Sequence, residues 1–415
     1  MVFRYMNFQR KLWLAQHKNN LYKYGTILSL VLIVTISIIY FTYSKFTSKN
    51  EMTAYETTVE PFIKNDYFIA SYIDGEWSNE IPGKNDGYVV DKIVCDNGAT
   101  GTWNSYDWSI TIRNATKKIK CSVFFIVKPL SVIEKITTLA STDTTNFATD
   151  DPNNNIRYIG ANPNNYVYFN CSDYNNQSDS TCEKWRIIGV FKKMAKNSWS
   201  KEDLVKIIRN DSLGNIAWDS NSVNDWSKAS LQTTLNGEYY NGTYATGALK
   251  NDATRNAIES VVWNLGGTAS FTSASNGLAS HFYGYERGTT VYSGRPTTLP
   301  GKIGLMYPSD YGYATAGGST TNRAACLAKE MFNWSGSSDC KNNDYLYKSS
   351  YAQWTLTPHS SHANGAFYVY DTGSVDTNGV SVTYGVRPAA FLKSNILLSG
   401  VGDGSSTSPY QLKVG

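Results

Sequence analysis

The chain has 415 residues, 41% apolar and 17% charged, which is enough apolar content to bury a core and too much for a disordered polypeptide. At about 150 residues per domain this length predicts two or three folded units. The net charge of +4 is concentrated at the start: residues 1–50 carry seven Lys/Arg and no acid, while 51–415 hold 31 basic and 34 acidic side chains, which argues against a nucleic-acid-binding globular part.

Tyr24 to Tyr43 reads YGTILSLVLIVTISIIYFTY, 20 residues without a charge. As a helix this stretch spans about 30 Å, one hydrocarbon core. Five of the seven basic residues precede it, which predicts a transmembrane signal anchor (24–43) with a cytoplasmic basic tail (1–23) and everything downstream extracellular. A cleaved signal peptide would have a shorter apolar stretch and a small-x-small site, which YFTYSKFTSKN does not offer.

Residues 57–128 alternate between strand-like runs and turn signals. YFIASYI (67–73), GYVVDKIV (87–94), WSITI (108–112) and KCSVFFIV (120–127) are separated by Asp-Gly, Pro-Gly and Asn-Gly dipeptides. They predict a small all-β, immunoglobulin-like sandwich acting as a spacer. PLSVIEKITTLA (129–140) has helical spacing, and the polar STDTTNFATDDPNNN (141–155) reads as a linker.

All six cysteines follow the membrane segment, as Cys95 and Cys121, Cys171 and Cys182, and Cys326 and Cys340. An even count in an exported chain predicts disulfides between these neighbours. The six formally allow fifteen pairings, and free buried thiols are the alternative. With no C-x-x-C and no adjacent histidine, a metal site is not expected there.

Residues 156–415 form one large unit. NYVYFN, WRIIGVF and LVKIIR predict strands; WSKASLQTTLNGEYY (226–240) predicts a helix capped by Ser227, and DATRNAIESVVWNLGG (252–267) a second ended by Gly266-Gly267. HFYGYERG (281–288) reads as a loop, and the remainder as polar loops with short strands. The order predicts an α+β domain, without βαβ alternation or a phosphate-cradling glycine loop.

An ordered series of segments in this unit resembles a known family. It runs through WRIIGVF (185–191), NDWSKASLQTTLNGEYYN (224–241), KIGLMYPSDYGYA (302–314), WTLTPHSSHANGAFYVYDTGSV (354–375) and YGVRPAAFLKS (384–394). The series is similar to bacterial surface domains related to the formylglycine-generating-enzyme (sulfatase-modifying factor) branch of the C-type-lectin fold, usually of unknown function. The preceding β unit looks like modules of exported proteins in low-GC Gram-positive bacteria. The resemblance implies a ligand-binding head without catalysis. The oxidases of that family use a cysteine pair near the C-terminal strands to bind copper, and no cysteine follows Cys340 here. Thr355, Leu356, Thr357 and Pro358 replace the family's usual L-R-S-P after the tryptophan, and the calcium-binding E-P-N loop of sugar-binding lectins is missing.

The candidate ligand surface is the loop around Trp354, His359, His362, Asn364, Tyr368, Tyr370 and Tyr384, which combines rings for stacking with hydrogen-bonding side chains. No catalytic residue, metal or cofactor is expected; Arg387 reads as a buried structural residue. The expected partner is an extracellular glycan, cell-wall polymer or surface protein. The alternatives are an envelope-acting enzyme using carboxylates such as Glu286 and Asp310, and a structural assembly subunit.

Overall fold

A computed structural model describes residues 31, 33–35, 67–115, 118–196 and 199–414, with alternating burial in strands near the start, such as Ile119–Val127, and continuous burial in later ones, such as Gln353–Pro358. The predicted membrane segment, 24–43, lies outside the described residues apart from Val31 and 33–35. Among the described residues no helix is long and apolar enough to cross a membrane. The chain divides into two compact units between Lys128 and Pro129.

The first unit holds β1 (Tyr67–Ile73), β2 (Glu76–Ser78), β3 (Tyr88–Cys95), β4 (Thr100–Asn104), β5 (Ser109–Arg113) and β6 (Ile119–Val127). Asp74 and Gly75 adopt φ of 51° and 90° at the β1–β2 corner, which Asp tolerates and Gly favours. One sheet runs β2-β1-β6-β3, with β1 and β6 parallel, and β4–β5 is a separate hairpin. Ile119, Cys121, Val123 and Phe125 bury every second residue of β6 against Ile110 and Ile112. Cys95 and Cys121 are register partners and are joined by a disulfide.

The second unit begins at α1 (Val132–Ala140), closed by a capping box between Ser131 and Glu134. Val132 and Ile136 are buried as α1 packs on the sheet that follows. Residues 141–155, expected as a polar linker, are largely exposed and fall inside the second compact unit. Phe147 is buried in β7 (Phe147–Ala148), and the polar residues build turns. Asp143 accepts from the backbone of Thr145 and Asn146, and Asp151 from that of Asn153 and Asn155. Asp, Asn and Thr were thus spent on local hydrogen bonds, which composition alone reads as a linker.

The main sheet combines β7 with β8 (Ile156–Tyr158), β9 (Tyr166–Phe169), β10 (Glu183–Ala195) and β11 (Lys201–Arg209). Further along the chain come β12 (Asn215–Ala217), α2 (Ser230–Thr234) and α3 (Asp252–Ala257), then β13 (Ile258–Glu259), β14 (Val261–Asn264) and α4 (Ala279–Glu286). After β15 (Thr298–Gly301) and β16 (Ile303–Gly304) follow the short helices α5 (Pro308–Ala314), α6 (Arg323–Leu327) and α7 (Ser338–Asn342). The chain closes through β17 (Gln353–Pro358), β18 (Gly365–Val369), β19 (Val375–Gly379), β20 (Thr383–Gly385), β21 (Ala389–Leu392), β22 (Leu397–Leu398) and β23 (Leu412–Lys413). The order of the main sheet is β13-β21-β11-β10-β8-β7, with β9 on β10 and β16 on β21. A second sheet runs β12-β20-β17-β18-β19. The result is a mixed α+β fold with many strands and few helices.

Three local expectations differ. Ser227 does not cap a helix: its hydroxyl donates to Asp225 at 2.6 Å, Ala229 holds the cap position, and α2 widens into a π turn over Leu235–Tyr239. The helix expected over 252–267 ends at Ala257, because Ile258 turns extended and pairs with Leu392 of β21. β-Branched residues gain more there from sheet packing than from helix continuation. Residues 281–288, read as a loop, lie largely in α4, where burial of Phe282, Tyr283 and Glu286 overrides the helix-weakening Gly284.

Candidate functional site

The residues singled out for ligand stacking fall into two environments. Trp354 and Tyr368 belong to the core. Trp354 donates from its indole to the Ile216 carbonyl at 3.0 Å, and Tyr384 stacks on Tyr368 at 4.6 Å between ring centroids. Tyr370 is 41% exposed, His362 and Asn364 are exposed, and His359 is buried at 4%. Adjacent strands β17 and β18 place Trp354 opposite Tyr368, so the alternation in AFYVY is a packing signal. The His359 ring stacks on His362 at 4.1 Å, and its Nδ1 accepts from the backbone N–H groups of Ser361 and His362, each at 3.2 Å. Burial, then the neighbouring His362, holds His359 down to about 4, so it is a neutral core imidazole. Among the described residues no group of three or more His, Cys, Asp or Glu could hold a metal ion.

Glu286 and Asp310 do not line a cleft. Both are fully buried, on α4 and α5. Glu286 accepts from Ser309 and pairs with Arg287 at 3.0 Å, while burial raises it to about 7. Asp310 is held between Arg157 and Lys206. Arg387 is buried as expected, bonding the carbonyls of Arg209 and Leu346 and the Gln353 side chain.

A cleft of about 680 Å³ opens elsewhere on the second unit. Its walls come from Asn162 in the turn before β9 and Tyr166 at the start of β9, from Arg186 on β10, and from the segment running from Ser338 on α7 to Ser349. The Gly160 carbonyl accepts the Tyr345 N–H at 2.9 Å, tying the two loops together. Arg186 sits at the base, 3% exposed. Its guanidinium lies 3.7 Å over the Tyr166 ring and 4.9 Å from that of Tyr345, and donates to Asn165 and the Pro163 carbonyl. Burial lowers it to about 10 despite the two phenols. Tyr347 is fixed by donation to the Asp371 carbonyl at 2.6 Å, and Lys341 by the carbonyls of Ser335 and Thr372, both at 2.8 Å. The Cys326–Cys340 disulfide staples α6 to α7 behind this wall, and a Cys171–Cys182 disulfide closes the polar loop before β10.

Such a cleft can stack the faces of a ligand on tyrosine rings and donate hydrogen bonds from Asn162, Lys341 and Lys348. Sequence reasoning missed it, although two signals were present: Arg186 is the lone charge within the run WRIIGVF (185–191), and Y-L-Y-K (345–348) crowds two rings and a lysine between polar loops.

Residues 309–394 match a sequence family described as a domain of unknown function (DUF6273). The stretch contains the 338–349 wall of the cleft but neither Tyr166 nor Arg186. No curated protein and no solved structure matches the chain.

Proposed function

We propose that the chain is a membrane-anchored bacterial surface protein whose second unit binds an extracellular glycan or cell-wall polymer in the cleft between Tyr166, Arg186 and residues 338–349. The observation that carries this reading is the cleft itself. It has the volume of a ligand site and tyrosine walls, and two of its polar side chains are held by backbone carbonyls before any ligand arrives. The uncharged stretch 24–43 behind a basic tail supports an anchor, and three disulfides support an oxidising, extracellular setting. In this reading the second unit is C-type-lectin-like and the first is an immunoglobulin-like spacer.

The test is a binding screen of the purified full-length chain in detergent against glycan arrays and isolated cell walls, with and without EDTA. Binding that is lost in a Tyr166→Ala, Tyr347→Ala variant supports the reading. Silence against every glycan and wall preparation overturns it and leaves protein partners or assembly as the function.

A further inference from the structure

Two of the four buried cations described in the second unit, Arg157 and Lys206, have carboxylates, as does the partly buried Arg209. Arg157 pairs with Asp151 and Asp310, Lys206 with Asp310, and Arg209 with Glu183. Arg186, in the cleft, and Arg387 have none. Arg186, Lys341 and Lys348 all line the cleft, and among the described residues none of the three forms an ion pair. Removing a cation from water without a counter-charge is costly, and evolution tolerates that cost chiefly where another charge arrives. The one acid on the lining, Asp344, does not supply the counter-charge. It is 3% exposed, its Oδ1 accepts the Leu346 N–H at 2.8 Å, and its Oδ2 has no partner among the described residues. Burial lifts this carboxyl well above the usual carboxylate range, opposing the charge that would answer the three cations. The three cations of the lining are donors, and none has a carboxylate partner among the described residues. Arg387, also without a carboxylate, adds to the positive field felt by Lys348.

Resting on the proposed glycan-binding role of this cleft, we infer that its ligand is anionic: a sugar or polyol chain whose carboxylate or phosphate group sits among Arg186, Lys341 and Lys348. The tyrosines then hold the uncharged part of the chain. Carboxylate and phosphate share the chemistry that these donors recognise, acceptor oxygens bearing negative charge.

The experiment is titration calorimetry of the full-length chain with oligogalacturonate, poly(glycerol phosphate) and neutral chitotetraose, at low and high NaCl. One anionic probe binding about tenfold or more tightly than the neutral one supports the inference, provided the advantage shrinks with salt and in Lys348→Met and Lys341→Met and is restored in Lys348→Arg. Which anionic arm wins identifies the group. The two lysines are half-buried at the cleft edge, and a near-ultraviolet circular dichroism spectrum like that of the parent chain certifies each variant's fold. Equal binding of neutral and anionic probes, or an anionic advantage that survives both lysine variants, overturns the inference and leaves the glycan-binding role standing. Binding of none of the three overturns the inference; the wider glycan and cell-wall screen then decides the role.

Discussion

Lys206 on β11 meets Asp310 on α5 across 104 residues of chain, and neither side chain touches solvent. Asp310 also accepts Arg157 from β8 at 3.0 Å and the Tyr307 N–H at 2.9 Å. The carboxylate therefore links three elements. Although burial opposes its charge, the two cations and the backbone donor hold it down to about 2. The rings of Phe191, Trp263, Tyr307 and Phe391 surround the ammonium of Lys206. In such a site the pair is worth less than its removal costs, because removal leaves a charge without a partner.

Asp310→Asn strands Lys206, leaves Arg157 with Asp151 alone, and is expected to cost about 3–5 kcal/mol, read as a fall in the denaturation midpoint at constant slope. Since the folded value lies below the unfolded one of 3.8, the contribution of Asp310 is complete above that pH and disappears as pH falls through about 2.

Two buried groups tilt stability in opposite directions in mild acid. His359 titrates at about 4 when folded against 6.5 unfolded, so the unfolded chain binds the extra proton between these values and stability drops on acidification. Glu286, at about 7 folded against 4.5, makes the folded chain bind the extra proton and gains stability over that window as pH falls. Melting temperatures at pH 7.5 and 5 are expected to fall less in His359→Gln than in the parent, and more in Glu286→Gln. The same change in both variants would contradict the assignment.

Gly189 lies where β10 passes β8, and a Cβ there would come within 2.0 Å of the Ile156 carbonyl oxygen. Gly189→Ala is expected to destabilise by about 1–3 kcal/mol or more, because backbone on both sides must shift. Gly237, in the π turn after α2, has nothing within 4 Å of its Cβ position, so Gly237→Ala should be neutral or stabilising. Paired unfolding curves check both.

Replacing Cys326 and Cys340 by serine opens a 14-residue span behind the cleft. The loss expected from chain entropy is about 3 kcal/mol. Faster protease cleavage between 326 and 343 than elsewhere in the second unit would locate the loosening.

The affinity of the cleft for its anionic probe is expected to fall as pH rises from 6 to 8. Burial first, then Arg387 and Arg186, lowers Lys348 to about 7, with Asp211 opposing, so the cation is lost in this range. Titrations of Lys348→Arg, which stays charged throughout, should be flatter.

The local features of this protein were legible in its residues because they rest on local causes. Short apolar runs rich in Val and Ile marked the strands of WRIIGVF and LVKIIR, Asp74-Gly75 marked a corner, and the nearness of Cys95 to Cys121, Cys171 to Cys182 and Cys326 to Cys340 marked the disulfides. Tertiary structure alone decided the rest. Trp354 and Tyr368 became core because β17 and β18 pair in a register that faces both inward; Ile258 left a helix because β21 offered it a partner. Glu286 and Asp310 became buried ion-pair members because α4 and α5 pack together. The cleft needs Tyr166, Arg186 and Lys348 side by side, and residues separated by 20 to 180 positions meet only when long-range packing closes the loops between them. Periodicity reports which face of an element is buried, but which faces then converge is fixed by contacts that no local pattern encodes.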